Sequence, residues 1–249
     1  MEVDRLNSII TSSQNNLIKE TIKLKQKKYR LKENAFLVEG FHLVEEAHVS
    51  GVLKQVFYLE NNPFTDINAF QVTETVMKKL SDLTSPPGII GVCLILEKTT
   101  LTDKILLMDN VQDPGNIGTL IRSAVAFGFK TVLAENSVDF YNEKVIRSSQ
   151  GAIFKLSLIN ANLTDFIKEN QDYLYLATDL NAERSLSELS INNKNKIALI
   201  LGNEGQGVSE TILTLVKTRI KIKMEDMESL NVAVAGSIIM YDINRRSEK

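Results

Sequence analysis

The chain has 249 residues, of which 43% are hydrophobic and 24% are charged, and its formal net charge is −2. These values are typical of a globular protein with one large domain or two modest ones, and they exclude a chain that is basic throughout. The single cysteine excludes an intramolecular disulfide framework, and two histidines offer little for a zinc site, so we expect no metal. Because there is no signal-peptide pattern and no apolar run long enough to span a bilayer, we expect a cytoplasmic protein without membrane contacts.

The N-terminal part of the chain predicts a small α/β module over residues 1–96. Its apolar spacing alternates between helical and strand-like stretches. The predicted elements are a helix within 11–33 that begins near Asn15-Asn16, strands at 35–38, 55–59 and 89–96, a helix at 41–49 and a mixed, partly helical stretch at 71–83. The polar segment 97–103 follows, and because it is poor in structure signals we expect a linker there.

Beyond the linker, apolar strands alternate with helical patterns through residues 104–249. This alternation predicts a second α/β domain whose largely parallel sheet is covered on both faces. The predicted elements are strands at 104–109, 131–133, 154–159, 173–178 and 197–201, and helices at 117–127, 142–149, 163–169 and about 231–244.

One segment is strongly basic although the whole chain is balanced. Between residues 19 and 32 the only acid is Glu20, and the bases are Lys19, Lys23, Lys25, Lys27, Lys28, Arg30 and Lys32. By itself this pattern is equally typical of a solvated lysine-rich helix and of a surface that faces phosphates.

Three polar segments of the second domain carry chemical groups. The first, Asn116-x-Gly118-x-x-x-Arg122-Ser-Ala124, follows a buried strand and the strand-breaking Asp113-Pro-Gly115. Asn116 is predicted to be the N-cap of the helix that starts at Ile117, and Arg122 lies on a separate helix face.

The second segment is Leu201-Gly-Asn-Glu-Gly-Gln-Gly207, in which glycines bring backbone N–H groups near a ligand and Glu204 offers a carboxylate. The third is Glu228-Ser-Leu-Asn-Val232, where Ser229 is the predicted N-cap and Asn231 lies in the first turn of the last helix. The glycine turn is neither a dinucleotide fingerprint nor a P-loop, which argues against an enzyme that binds NAD or ATP there.

In this order and spacing, the three segments resemble the SpoU (TrmH) family of the SPOUT superfamily, which are RNA ribose 2′-O-methyltransferases that use S-adenosylmethionine. The resemblance covers nearly the whole chain, and Val145–Ala152 is similar to a further family segment. It implies a SPOUT-type α/β domain with a parallel sheet and a deep trefoil knot at 104–249. It also implies that 1–96 form an RNA substrate-binding domain similar to small ribosomal RNA-binding proteins, and that the enzyme is a homodimer with its active site near the subunit interface.

The resemblance also implies roles for single residues. The residues matched to catalysis are Arg122, Asn116, Glu204, Ser229 and Asn231. Those matched to the cofactor are Gly202, Ile222, Leu230, Asn203 and, at the end of its strand, Thr178. The run Ile222–Met227 departs from the family's third motif, since it has neither proline nor glycine and is one residue shorter.

Methyl transfer to a ribose hydroxyl requires alignment of donor and acceptor and loss of the hydroxyl proton. A guanidinium keeps its proton past about pH 12, so we interpret Arg122 as a cation that stabilises developing alkoxide charge. Asn116 and Glu204 would hold Arg122 and the ribose, and we hypothesise an ion pair between Glu204 and Arg122.

With this function the basic segment becomes a candidate RNA-binding surface, formed by Lys23, Lys25, Lys27, Lys28 and Arg30. By the same resemblance, the separate N-terminal domain favours ribosomal RNA as the substrate, with a transfer RNA 2′-O-methyltransferase as the alternative. The rival from another class is a non-catalytic RNA-binding protein that retains the fold, which would have no need of the full polar set.

Overall fold

The computed structural model describes residues 9–96, 100–189, 191 and 195–247. Contacts among them divide the chain into two compact units. The first unit comprises Met1–Leu96 and Tyr141–Phe154, and the second comprises Glu97–Phe140 and Lys155–Lys249.

Helices and strands alternate along most of the described chain. The helices are α1 Asn16–Lys23, α2 Lys27–Glu33, α3 Phe41–Val49, α4 Glu74–Leu80, α5 Pro114–Ala126, α6 Glu143–Ser149, α7 Leu163–Glu169, α8 Glu210–Leu215 and α9 Val232–Ser247. The strands are β1 Ala35–Glu39, β2 Leu53–Tyr58, β3 Asn68–Gln71, β4 Ile89–Leu94, β5 Lys104–Asp109, β6 Thr131–Glu135, β7 Ser157–Asn160, β8 Tyr173–Thr178, β9 Lys196–Leu201 and β10 Thr218–Ile220. Most match the sequence predictions, whereas β3, α8 and β10 are too short to have been recognised from periodicity.

The first unit is built on a four-stranded mixed sheet with the order β1-β4-β2-β3. Strand β4 is antiparallel to β1 and β2, and β3 is parallel to β2. One apolar cluster joins this sheet to two helices, with Ile18 from α1, Met77 from α4 and Phe57 and Ile90 from the strands. Burial of this face is what the predicted small α/β module requires.

The single N-terminal helix predicted within 11–33 is wrong, because the segment forms two helices. Gln26 between them has extended backbone angles, with φ −100° and ψ 132°, which no α-helix can contain. The Arg30 guanidinium donates to the carbonyl oxygens of Leu24 at 3.1 Å and Lys25 at 2.8 Å. The arginine therefore satisfies carbonyl groups that the end of α1 leaves without helical partners.

Residues Tyr141–Phe154, which include α6, belong by contact to the first unit. The ring of Phe36 lies 4.7 Å from that of Tyr141 and 6.3 Å from that of Phe154, measured between centroids. The sequence analysis places this segment in the domain 104–249, because the sequence does not show that Tyr141 and Phe154 contact Phe36. The linear domain limits 1–96, 97–103 and 104–249 stay a prediction.

The second unit contains a six-stranded sheet with the order β10-β8-β9-β5-β6-β7, in which every pair is parallel. Residues 105–108 in its centre are all fully buried, so helices cover both faces. The prediction of a parallel sheet covered on both faces is thus confirmed, whereas the trefoil knot stays a prediction. From β5 the chain adds β6 and β7 towards one edge of the sheet. The later strands β8, β9 and β10 lie on the other side of β5, so the strand order reverses between β5 and β9.

Helix α9 packs closely against α5 and β9 because of one glycine. A β-carbon on Gly236 would lie 2.5 Å from Leu201 Cδ1 and 2.6 Å from Leu120 Cδ2, too close for any larger residue without a shift. The hydroxyl groups of Ser123 and Ser237 are also hydrogen-bonded at 2.6 Å. These contacts fix the direction of α9, and therefore the position of the polar segment that precedes it.

Candidate active site

A cleft of about 1270 Å³ opens at the carboxyl ends of the parallel strands in the second unit. Ligands of open parallel α/β sheets bind at this edge, where the strand order reverses. The walls come from Asp109 at the end of β5, from Thr178 at the end of β8 and from the turn after β9. The volume is sufficient for a small organic ligand.

The turn after β9 is possible only because residue 202 is glycine. A β-carbon there would lie 2.0 Å from the carbonyl carbon of Gly207 and 2.1 Å from the nitrogen of Val208. The backbone of Asn203 exchanges two hydrogen bonds with that of Gly207, both at 2.9 Å. The turn therefore folds back onto its own start, leaving the backbone of Gly202 at the cleft wall.

The side chain of Asn203 connects this turn to the end of β5. Its amide donates to the carbonyl oxygen of Asn110 at 2.9 Å, and its oxygen accepts from the N–H groups of Gly205 at 2.9 Å and Gln206 at 3.1 Å. Asn203 is thus a structural organiser of the cleft as well as one of its lining residues.

Helix α5 begins at Pro114, three residues before the predicted start at Ile117. Asp113 is the N-cap, and its carboxylate accepts from the Asn116 N–H at 2.8 Å, while Pro114 occupies the first helical position. The prediction of Asn116 as N-cap is therefore wrong, because a proline suits the first turn of a helix and an aspartate before it is an equally good cap. The side chain of Asn116 is left available for other contacts.

A chain of side-chain hydrogen bonds joins the three polar segments. The Asn116 amide donates to Glu204 Oε1 at 3.0 Å, and the Asn116 oxygen accepts from the Asn231 amide at 3.0 Å. The structure thereby brings Asn116, Glu204 and Asn231 together, as the sequence motifs implied. Because both ends of the Asn116 amide are used, its orientation is determined.

Three hydrogen bonds hold the Glu204 carboxylate, the first from the Asn116 amide. Besides Asn116, the backbone N–H groups of Asp113 and Gln112 donate to it at 3.0 and 3.2 Å. Partial burial raises the pKa of the Glu204 carboxyl, but the hydrogen bonds from Asn116 and from the backbone N–H groups of Asp113, Glu204 and Gln112 lower it more. The net pKa lies below the ordinary value of a glutamate.

Asn231 rather than Ser229 caps the last helix. The Asn231 oxygen accepts from the N–H groups of Ala233 at 2.9 Å and Val234 at 3.3 Å, and α9 begins at Val232. The prediction of Ser229 as N-cap is therefore wrong by two residues, since both serine and asparagine are good caps and sequence could not choose between them. Ser229 is exposed at the cleft wall instead.

Arg122 is exposed on α5, and within the part of the chain that the structure describes its guanidinium makes no hydrogen bond or ion pair. The hypothesised ion pair between Glu204 and Arg122 is absent from the described ion pairs, because the carboxylate is occupied by Asn116 and the backbone. Arg122 therefore presents an uncompensated positive charge to whatever approaches this helix.

The residues matched to the cofactor lie together. All of them line the cleft, and so do two residues matched to catalysis: Gly202, Asn203, Thr178, Ile222, Leu230, Glu204 and Ser229. Asn116, Arg122 and Asn231 do not line it. Thr178 is also tied to its neighbour strand, since its hydroxyl donates to the Ile200 carbonyl at 3.2 Å.

The candidate RNA-binding residues of the first unit divide into two groups. Arg30 is only 7% exposed and bonds to the end of α1, and Lys25 pairs with Asp82 at 2.9 Å and donates to the Ser81 carbonyl at 2.8 Å. The prediction that Arg30 faces RNA is wrong, because its guanidinium holds the junction of the two helices, and Lys25 is likewise engaged.

The other group of basic residues points outward around one aromatic ring. The ammonium groups of Lys28 and Lys23 lie 4.8 Å and 5.7 Å from the ring centroid of Tyr29. Lys23 also pairs with Glu20 at 2.7 Å, and Lys27 is exposed.

Sequence reasoning missed two side chains that shape the site. Asp109 ends β5 inside the cleft, and Gln112 bridges the Asn110 side chain at 2.7 Å and the Asn136 carbonyl at 2.6 Å. The only sequence signal for this edge was that the charged Asp109 directly follows the apolar residues 105–108. Among the described residues, no group of His, Cys, Asp or Glu side chains could hold a metal ion, and no helix is long and apolar enough to cross a membrane.

The parallel sheet and the glycine turn at its point of reversal define a protein of the parallel α/β class that binds a small ligand at its strand ends. Residues 103–241 match the SpoU rRNA Methylase family, and residues 15–91 match the MRM3-like substrate binding domain. The chain therefore belongs to the SpoU rRNA methylase family and is an RNA methyltransferase.

Relatives of nearly the same length support this assignment. The chain is 35% identical over 243 residues to the 23S rRNA (guanosine(2553)-2′-O)-methyltransferase RlmP of Bacillus subtilis, covering 94% of this chain and 98% of that protein. A crystal structure of an RNA 2′-O ribose methyltransferase is similar with a TM-score of 0.79 and 32% identity, covering 96% and 99% of the two chains. An rRNA methyltransferase from Sinorhizobium meliloti, solved with AdoMet bound, has a TM-score of 0.84 and 25% identity, covering 96% and 97%.

Substitution Gly202→Ala tests the turn. We expect it to destabilise the turn by about 1–3 kcal/mol through overpacking and to weaken S-adenosylmethionine binding roughly tenfold or more, measured by isothermal titration calorimetry. The matched control is Gly205→Ala, because a β-carbon there would meet only Asn203 Oδ1 at 3.7 Å. Equal effects of the two substitutions would contradict the role assigned to Gly202.

Proposed function

We propose that this protein transfers a methyl group from S-adenosylmethionine to a ribose 2′-hydroxyl in ribosomal RNA. The observation that supports this most is the hydrogen-bonded chain Glu204–Asn116–Asn231, which unites three distant segments beside the cleft. We infer ribosomal rather than transfer RNA from the family match and from the relative RlmP, named for 23S rRNA.

The residues of the cleft fit S-adenosylmethionine. The backbone of Gly202 lies at the cleft wall, and a β-carbon at this position would clash with the rest of the turn. The cleft is also lined by the apolar side chains of Ile222 and Leu230 and by the polar side chains of Asn203 and Thr178. Such a mixture suits a ligand with an apolar purine and several polar groups. When bound, the cofactor supplies an electrophilic methyl group on a sulfonium. We assign Gly202, Asn203, Thr178, Ile222 and Leu230 to its binding.

The remaining polar residues act on the ribose side. A guanidinium group is a cation that can stabilise negative charge and bind phosphate, so we assign Arg122 to the charge that develops on the 2′-oxygen and to a neighbouring phosphate. The hydroxyl proton leaves to water or another acceptor. Asn116, with its amide orientation determined by Glu204 and Asn231, positions the ribose, and Ser229 shapes the adjacent cleft wall.

We further propose that the enzyme is a homodimer that uses α9 as part of its interface. Val234, Ile238 and Tyr241 are 47%, 41% and 54% exposed and follow each other at helical spacing, so they form an apolar stripe on α9. The Tyr241 ring packs on Phe127 at the end of α5, 5.6 Å between centroids. We assign a second copy of this chain to the stripe, because the family resemblance implies a homodimer with its active site near the subunit interface.

Substitution Arg122→Ala tests the catalytic assignment. We expect kcat for methyl transfer to ribosomal RNA to fall about 10²–10³-fold, because charge on the 2′-oxygen loses its stabilising cation, while the Kd for S-adenosylmethionine stays unchanged. The measurement is transfer of radiolabelled methyl to ribosomal RNA from cells that lack the gene. Arg122→Lys is the control that keeps the charge, and near wild-type turnover by Arg122→Ala would refute the assignment.

Replacement of Lys23, Lys27 and Lys28 by glutamine tests the outward-facing basic surface. If each contacts a phosphate, the slope of log affinity against log salt should become about two units shallower for ribosomal RNA fragments, measured by fluorescence anisotropy. Lys54, Lys78 and Lys79, exposed on the same unit, provide a control triple substitution with the same change of charge. An identical slope for both variants would show that the effect is not specific to this surface.

Substitution Tyr241→Asp tests the interface. A charge in the apolar stripe should raise the dimer dissociation constant at least about tenfold, measured by sedimentation velocity. The control is Leu215→Asp, which makes the same change of charge at an exposed apolar residue at the end of α8. If wild-type protein is monomeric at micromolar concentration, the proposed dimer is wrong.

A further inference from the structure

Asp109 is a buried acid that the proposed mechanism does not use. It is the last residue of β5, is only 6% exposed and lines the cleft. Its Oδ2 atom accepts from the Ser209 N–H at 2.7 Å, so it connects the strand to the start of α8, beyond the glycine turn. Buried carboxylates are costly, and they are usually paired with a cation or several donors.

Among the residues that the structure describes, Asp109 has little of this compensation. Within the described residues no lysine or arginine forms an ion pair with it, and the Ser209 N–H is its only hydrogen-bond donor. A carboxylate retained at this cost in a ligand cleft points to a ligand of opposite charge.

Of the four other carboxylates that line the cleft, Glu210 is exposed to solvent and three are occupied. Glu135 accepts from Asn162 and from the Leu163 N–H at 2.8 and 2.9 Å, where it binds the start of α7. Asp179 pairs with Arg219 at 3.4 Å, and Glu204 is bound by Asn116 and backbone N–H groups. Among these acids Asp109 alone combines near-complete burial with a single donor.

We propose that Asp109 supplies a fixed negative charge by which the cleft distinguishes cationic S-adenosylmethionine from its demethylated product. The inference rests on the proposed function. Methyl transfer removes the positive charge of the sulfonium, since sulfur retains the electron pair of the broken S–CH₃ bond, and the product S-adenosylhomocysteine has a neutral sulfur. A buried carboxylate stabilises the first ligand and gives the second no comparable advantage, so the same charge favours cofactor binding and product release.

Substitution Asp109→Asn separates this charge from the structural contact, because an asparagine oxygen can still accept from the Ser209 N–H. Isothermal titration calorimetry would give the Kd of both ligands for the wild-type enzyme and the variant. We expect S-adenosylmethionine to bind about tenfold more weakly to the variant and S-adenosylhomocysteine to change less than about twofold, the scale of one charge interaction in a partly screened site. A purely structural role would weaken both ligands equally, and that outcome would overturn the proposal.

Asp179→Asn is the matched control, since Asp179 lines the same cleft but its charge is already paired with Arg219. It should leave the ratio of the two dissociation constants within about twofold of wild type. A change as large as that of Asp109→Asn would show that any cleft carboxylate has this effect and would overturn the assignment to Asp109.

A second measurement uses wild-type enzyme alone, in case Asp109→Asn does not fold. The probe is an analogue of S-adenosylmethionine in which an amine replaces the methylated sulfur. This amine is cationic at neutral pH, so the analogue should bind about tenfold more tightly than S-adenosylhomocysteine. Equal or weaker binding would contradict the proposal. Failure of the proposed function is distinguishable, because wild-type enzyme would then bind neither S-adenosylmethionine nor its product.

Discussion

The side-chain amide of Asn116 is the contact on which the site depends. Its nitrogen donates to Glu204 and its oxygen accepts from Asn231, each at 3.0 Å, so all three motifs meet at one group. Asn231 in turn caps α9, and Glu204 belongs to the turn after β9. Loss of this amide would take one donor from Glu204, leave the Asn231 amide without this acceptor and remove the link between the start of α9 and the turn.

This contact is possible because of the sheet topology. Strands β5 and β9 are neighbours although some ninety residues separate them, and their parallel pairing places both carboxyl ends at one edge. The turns that follow, one capped by Asp113 and the other closed by Gly202, must therefore lie side by side. The close approach of α9 at Gly236 adds the third segment. The polar site is a consequence of buried apolar strands.

The first unit shows that residue type alone does not assign a role to a basic side chain. Arg30 and Lys25 bond to carbonyl oxygens or an acid within the unit, whereas Lys23 and Lys28 flank the ring of Tyr29. In the sequence these residues alternate without any marker of their direction. The break at Gln26 rotates α2 out of the register of α1, and a single continuous helix would have exposed a different set.

Sequence by itself determined the parallel α/β character of the second unit and the three polar segments, because strand burial and glycine turns leave local patterns. It also led to the residues of the cofactor cleft through the resemblance of those segments to one family. Only the tertiary structure decided that Asp113 and Asn231 are the caps, that Glu204 bonds to Asn116 instead of Arg122, and that Asp109 is buried with no lysine or arginine paired to it among the described residues. The last two depend on which distant partner reaches a polar group, and no local periodicity records such a partner. The caps are local, but they required a choice between nearby residues that are equally good caps.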